Sequence, residues 1–233
     1  MLAADSLSNR DAPMTQTQTP ARDGTARALI EAGMRLFGTK GFVATSTREL
    51  AEAAGANVAA ISYHFQGKEG LRRACALEFV HRMEEVMRPL GPPEALSPEA
   101  AEAELKALME AMISRILTQP DAASMIGFVM REVTEGGETL DILYDRLIAV
   151  AHGRLLGLWA RASGTSEDDP ESALRVFAMI GQVLYFRLGA EVVRRKMGWS
   201  EIGAAEAAQI SRVVAGNLDA MLAQARAGTA PGA

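Results

Sequence analysis

Between Asn57 and Lys68 the chain reads NVAAISYHFQGK, a short segment crowded with hydrogen-bonding groups. Asn57, Ser62, Tyr63 and His64 donate and accept hydrogen bonds from short or rigid side chains, and they surround the small residues Val58, Ala59 and Ala60. On a thin helix this set suits the major groove of duplex DNA. The alanines permit close approach and offer methyl contacts to thymine, while the polar groups reach base edges or phosphates. Lys68 adds a cation beside the free N–H groups that open the next helix, where a phosphate can sit. Thr45, Thr47 and Arg48 lie upstream, placed to hold the opposite backbone. The alternative for Tyr63 and His64 is that they cover the inside of a small helical domain.

No comparable set supports catalysis. His64, His81 and His152 are too far apart for an HExxH zinc motif, and a single cysteine, Cys75, rules out CxxC. A Gly-rich phosphate loop and a GxSxG elbow are also missing from the sequence. The expectation is therefore no catalytic residue, no metal and no cofactor. Cys75 reads as a small buried residue, with a redox-sensing thiol as the alternative.

Composition agrees with a soluble helical chain: 233 residues, 48% hydrophobic, formal charge -5. No apolar run approaches the roughly 20 residues of a membrane span. The first residues lack a signal-peptide core, so a cytoplasmic location is expected. Charge is divided unevenly. Residues 22–88 carry 10 Lys+Arg against 8 Asp+Glu, and residues 89–233 carry 13 against 19. An anionic partner should meet the front of the chain.

The elements that must carry these groups are helical, for apolar spacing is close to 3.6 nearly throughout. Ala28, Leu29, Ala32, Leu36 and Phe37 stripe a first helix. TRELAEAAG (47–55) predicts a second, capped by Ser46 or Thr47 and ended by Gly55. Asn57 caps a third from Val58 to about His64, and a fourth spans Lys68 to Met87. Ala51 is small where two helices would cross. Gly55 sits where a turn needs positive φ, and Ile61 is the apolar plug: together they have the spacing of a helix-turn-helix. A plain helical hairpin fits the same pattern. The prolines of RPLGPPEALSP (88–98) break the chain. Helices about 98–118, 121–134, 138–163, 170–196 and 200–226 follow.

The stretch ARALIEAGMRLFGTKGFVATSTRELAEAAGANVAAISYHFQGKEGL resembles the DNA-binding domain of TetR/AcrR-family regulators. Leu-Phe-Gly, Gly-Phe, Thr-Ser-Thr-Arg, Ala-x-x-Ala-Gly, Tyr-His-Phe and Lys-Glu-x-Leu occur in order across about residues 25–71. The resemblance implies an all-α fold: an N-terminal three-helix helix-turn-helix domain, joined by a fourth helix to a larger helical ligand-binding and dimerisation domain. It also implies a homodimer on double-stranded operator DNA, released by a small-molecule effector. Thr45, Thr47, Arg48, Asn57, Ala60, Tyr63, His64 and Lys68 occupy positions that touch DNA in relatives, and Ala59 and Ser62 complete the set. Ala60 stands where relatives usually carry Thr or Ser, and Ser62 replaces a usual Tyr. The expected layout is a disordered tail over 1–21, the DNA-binding domain over 22–88, the effector and dimer domain over 98–226, and a second tail over 227–233.

The segment 127–164 resembles the C-terminal domain of the CecR-like subgroup, through Arg131-Glu132, Asp141-x-Leu143-Tyr144 and His152. That likeness implies sensing of toxic small molecules and control of export genes. Met125, Phe128, Leu143, Leu147, Leu155 and Trp159 fall on inward stripes with Arg131, Glu132, Tyr144 and His152 near them. An apolar cavity with convergent polar groups is a ligand site, and Phe128, Arg131, Glu132, Tyr144, His152 and Trp159 are its candidates. Ordinary core is the alternative. Stripes on 170–196 (Leu174, Phe177, Ala178, Gly181, Leu184, Tyr185, Leu188) and on 200–226 (Ile210, Val213, Val214, Leu218, Met221, Leu222) predict a four-helix bundle between two copies. Burial within one subunit is the alternative. A ligand-independent regulator or activator, and an all-α carrier or enzyme, remain the competing functions.

Overall fold

The computed structural model describes residues 20–86 and 92–229. Helices α1 (Pro20–Lys40), α2 (Thr47–Ala53), α3 (Val58–Phe65) and α4 (Lys68–Val86) form the front of the molecule. The rear contains α5 (Pro98–Thr118), α6 (Ala122–Glu135), α7 (Glu138–Leu143), α8 (Ala149–Ser163), α9 (Pro170–Leu188), α10 (Ala190–Met197) and α11 (Ala204–Thr229). Among the described residues there is no strand, and the architecture is all-α. Most of the tail expected over 1–21 lies outside the described residues, as do residues 87–91 of the proline-rich break. The tail expected from 227 is corrected at its start, because α11 runs on to Thr229; residues 230–233 lie outside the description.

Local chemistry fixes the front helices. Ser46 and Glu49 form a reciprocal capping box at the start of α2. The Asn57 side chain accepts the Ala59 N–H at 3.0 Å and caps α3. Between them Gly55 takes φ +60, the left-handed turn that glycine enters without a steric penalty. Leu50, Ala51 and Ile61 are all buried where α2 crosses α3, joined by Leu29, Phe37 and Leu71. The helix-turn-helix is thus held by a small apolar plug and two side-chain caps.

In the rear, α5 is the central helix, packed against α6, α8, α9 and α11. Three expected helices differ from the sequence reading. The one expected over 138–163 is divided: Tyr144–Ile148 winds as a π-helix between α7 and α8. The one expected over 170–196 bends by 74° between α9 and α10. At the bend Gly189 leaves the helical region (φ -93, ψ 16), and its own N–H closes on the Tyr185 carbonyl at 2.7 Å. The last begins at Ala204 rather than 200. The expected intersubunit stripe on that helix divides: Val213 is exposed and Met221 half-buried. Ile210, Val214, Leu218 and Leu222 are buried within the one chain, where α11 packs on α5, α8 and α9. On α9 the outcome is the opposite, for Leu174, Phe177, Tyr185 and Leu188 are each more than half exposed.

Candidate nucleic-acid interface

The surface of α3 carries the groups its sequence promised. Val58, Ala59, Ser62 and Tyr63 are exposed, and Ala60 and His64 are half-buried. Tyr63 is 65% exposed, and its ring meets His64 edge-on with centroids 4.9 Å apart. Since the Asn57 carbonyl is engaged in the cap, its amide N–H2 is the group left for an outside partner. The α3 helix ends at Gln66, a non-glycine residue with φ 61. Just beyond, Gly70 nests so tightly on the turn that an added β-carbon would overlap the Phe65 carbonyl oxygen at 1.7 Å. That contact fixes the angle at which α3 leaves α4.

Cations frame this surface. Lys68 Nζ lies 4.2 Å from the centroid of the Phe42 ring, and the Arg72 guanidinium lies 4.6 Å from the same ring. Phe42 therefore holds Lys68 at the start of α4 through cation–π attraction. Sequence reasoning overlooked that platform, whose signal was the Gly-Phe pair at 41–42. On the other flank Arg48 is exposed at the start of α2, and Thr47 is half-buried. Lys40 pairs with Glu49 at 2.6 Å. This hydrogen bond, with those from Ser46, holds the Glu49 carboxyl down at about 2. The pairing ties the end of α1 to the cap of α2. Thr45 differs from expectation. It is 1% exposed, and its hydroxyl donates to the Gly41 carbonyl at 2.7 Å, so its side chain closes the α1–α2 loop instead of facing outward.

The six rear candidates do not meet in one place. Phe128, Arg131 and Glu132, on α6, lie in the joint between front and rear. Gly38 of α1 crosses Gly127 of α6 so closely that a β-carbon on Gly38 would sit 2.5 Å from the Ser124 carbonyl oxygen. Beside the crossing Phe128 packs on Phe37, centroids 6.4 Å apart. Arg131 donates to the Gly38 and Thr39 carbonyls at 3.0 and 2.8 Å, satisfying orphan acceptors at the end of α1. Arg72 Nε donates to both Glu132 oxygens, at 2.8 and 3.1 Å. Burial raises the Glu132 carboxyl above its ordinary range despite that partner, and the carboxylate keeps the guanidinium protonated. A second set of ion pairs joins Arg82 on α4 to Glu31 on α1 and Asp121 before α6.

The other three candidates lie on or near α8. Tyr144 is 55% exposed on the π stretch. His152 stacks on Phe177 of α9 with centroids 3.9 Å apart, and burial lowers its pKa. Trp159 is fully buried, with Arg175 over its ring at 5.7 Å. A small void of about 10 Å³ lies between α4, α5 and α6, lined by Phe79, Met83, Ile116 and Met125 among others. It has room for at most a single water. Cys75 is buried against α1, and burial drives its thiol pKa far upward, so the redox-sensing alternative has no support from this environment.

An exposed, smooth, capped helix flanked by cations, on a head clamped to a helical body, is the build of a DNA-binding regulator. Comparison with known proteins gives the family. Residues 29–75 match the bacterial regulatory proteins of the tetR family, and residues 101–225 match the C-terminal domain of the HTH-type transcriptional dual regulator CecR. The HTH-type transcriptional dual regulator CecR of Shigella flexneri is 31% identical over 204 residues, covering 84% of this chain and 90% of that protein. The regulatory protein RaaS of Mycobacterium tuberculosis is 29% identical over 164 residues, covering 68% of this chain and 69% of that one. Among solved structures, AibR in complex with isovaleryl coenzyme A and operator DNA aligns with a TM-score of 0.63 and 22% identity, over 83% of this chain and 97% of that chain. The chain belongs to the TetR family of transcriptional regulators, with a CecR-type C-terminal domain. Its front domain is accordingly a DNA-binding helix-turn-helix. No single described helix is long and apolar enough to cross a membrane.

Proposed function

We propose that the protein is a ligand-responsive repressor, acting in the cytoplasm as a homodimer on a palindromic operator, and that a small hydrophobic or amphipathic effector releases it. The observation that carries this reading is the pairing of an exposed α3 with a head fastened to α6 by the Gly38–Gly127 crossing and by Arg131. A shift of α6 within the body then moves the whole head, and a coupling of about 1–3 kcal/mol is enough to change operator affinity 5- to 150-fold. Asn57, Ser62, Tyr63 and His64 read base edges or phosphates, while Thr47, Arg48 and Lys68 hold the backbone. The exposed stripe of α9 supplies the dimer contact, with Gly181 and Ala178 allowing close approach. Such a dimer presents two copies of α3 about 34 Å apart, one turn of duplex. AibR, solved with an acyl-coenzyme A and operator DNA together, gives the same fold a precedent for both partners.

The test is a gel shift of purified protein on DNA from upstream of its own gene, with and without hydrophobic and amphipathic compounds. A shifted band that a compound dissolves supports the reading. A shifted band that no compound affects favours a ligand-independent regulator, and no shift at low salt favours the carrier or enzyme reading.

A further inference from the structure

Two polar atoms on one side of α8 are buried without a hydrogen-bond partner: the Trp159 indole N–H and His152 Nε2. Buried polar groups are nearly always satisfied, and a native exception needs a reason. The two residues are seven apart, two helical turns, so both lie along the same seam and about 10 Å separates their levels. Across that seam is α9, which supplies Phe177 against the His152 ring and Arg175 over the Trp159 ring. The seam is therefore already aromatic along its length, with an open hydrogen-bonding position at either end. The π-helix Tyr144–Ile148 runs directly into α8, a winding that is rare and concentrates at functional sites. Beyond Phe177, toward the same end, α9 stops at the Gly189 bend.

We propose that the α8–α9 seam is the effector site, closed in this state, and that it opens to take a neutral, planar apolar molecule with a hydrogen-bond acceptor toward Trp159 and a hydrogen-bonding group toward His152. This rests on the reading of the protein as ligand-responsive and specifies where and what it senses. Trp159 can only donate, so the ligand must accept there. Burial lowers the His152 pKa, which keeps the imidazole uncharged at neutral pH and selects against a ligand that needs a cationic partner at that end. Arg175, whose guanidinium lies over the Trp159 ring, is already paired with Glu171. Phe177 also belongs to the exposed apolar stripe of α9. A ligand that parts the two helices thus displaces the face through which we propose the subunits meet, giving it leverage over both heads.

The experiment uses Nile red, an uncharged planar dye with a carbonyl acceptor, titrated into the full-length protein and followed by the dye's own emission. Saturable binding is expected. Trp159→Phe keeps an aromatic ring but removes the indole N–H together with the five-membered ring that carries it, and His152→Leu replaces the imidazole with an apolar side chain. Each should weaken the dye's Kd about tenfold while circular dichroism shows the helical fold retained; Trp159→Phe should also melt lower, because a fully buried indole is truncated. His81→Leu, on the exposed face of α4, should leave the Kd within twofold. No saturable binding, or binding unchanged in both seam variants, overturns the proposal. Operator release by the dye is read separately by anisotropy of labelled DNA. Release that persists in the seam variants keeps the repressor reading and removes the seam. Seam-dependent binding without release keeps the seam and removes induction from the repressor reading.

Discussion

Replacing Gly38 with alanine probes the contact on which head and body depend. The added carbon would meet the Ser124 carbonyl oxygen at 2.5 Å and the Phe128 nitrogen at 2.9 Å. Both are main-chain atoms of α6, so no side-chain rotation relieves the overlap and the two helices must part. Alanine otherwise favours a helix over glycine by about 1 kcal/mol. Overpacking of a tight contact costs about 1–3 kcal/mol, and rigid backbone on both sides puts this case in the upper part of that range. The net expectation is a loss of about 1–2 kcal/mol, a fall of about 2–8 °C in melting temperature for a chain of this size. Gly153→Ala is the control: it is also helical, its added carbon meets nothing within 4 Å, and it should raise melting by about 1–4 °C. Calorimetry of the three proteins decides the matter. A Gly38→Ala protein as stable as Gly153→Ala would refute the close crossing and, with it, the idea that α6 carries the head rigidly.

Other outcomes follow from the same contacts. Arg72→Ala leaves the Glu132 carboxylate buried and unpaired, and should cost about 3–5 kcal/mol in urea unfolding. Leu174→Glu together with Leu188→Glu places charge on the exposed stripe of α9 and should yield a folded monomer by sedimentation. The Glu49 carboxyl is lowered from 4.5 to about 2, so its contribution to stability is complete above pH 4.5 and disappears as pH falls toward 2. The melting difference between wild type and Glu49→Gln should therefore shrink across that interval, as a pH series of thermal scans would reveal. Tyr63→Ala should weaken operator binding by about tenfold, since one good base contact is worth about 1–3 kcal/mol, while the dimer persists by sedimentation.

The front of the molecule was legible because its determinants are local. Ser46, Asn57 and Gly55 each act on the few residues around them, and Ala51 and Ile61 meet within one supersecondary unit. Thr45 was misplaced because the folding of the 41–45 loop, not the residue type, decides which way a hydroxyl turns. The rear was harder for physical reasons. YDRLI contains neither Gly nor Pro, so nothing in it announces a π-helix, and Gly189 is weak punctuation inside an apolar run. Gly38 and Gly127 read singly as indifferent helix residues, and their meaning exists only once distant segments cross. Apolar stripes on α9 and α11 look alike in sequence, yet most of the first stays exposed and most of the second packs on α5, α8 and α9. Phe128, Arg131 and Glu132 carried a true signal, apolar and charged groups on one helix, but that signal is shared by ligand pockets and by joints between domains.

The most direct measurement is the affinity of the purified protein for a labelled fragment of its own upstream DNA, and for a scrambled fragment of equal length, over a salt series. The account predicts tight binding of the first and weaker binding of the second. Log affinity should fall linearly with log salt, by about 0.9 for each phosphate neutralised. Equal affinity for both fragments at every salt concentration, or no binding of either at low salt, would contradict it.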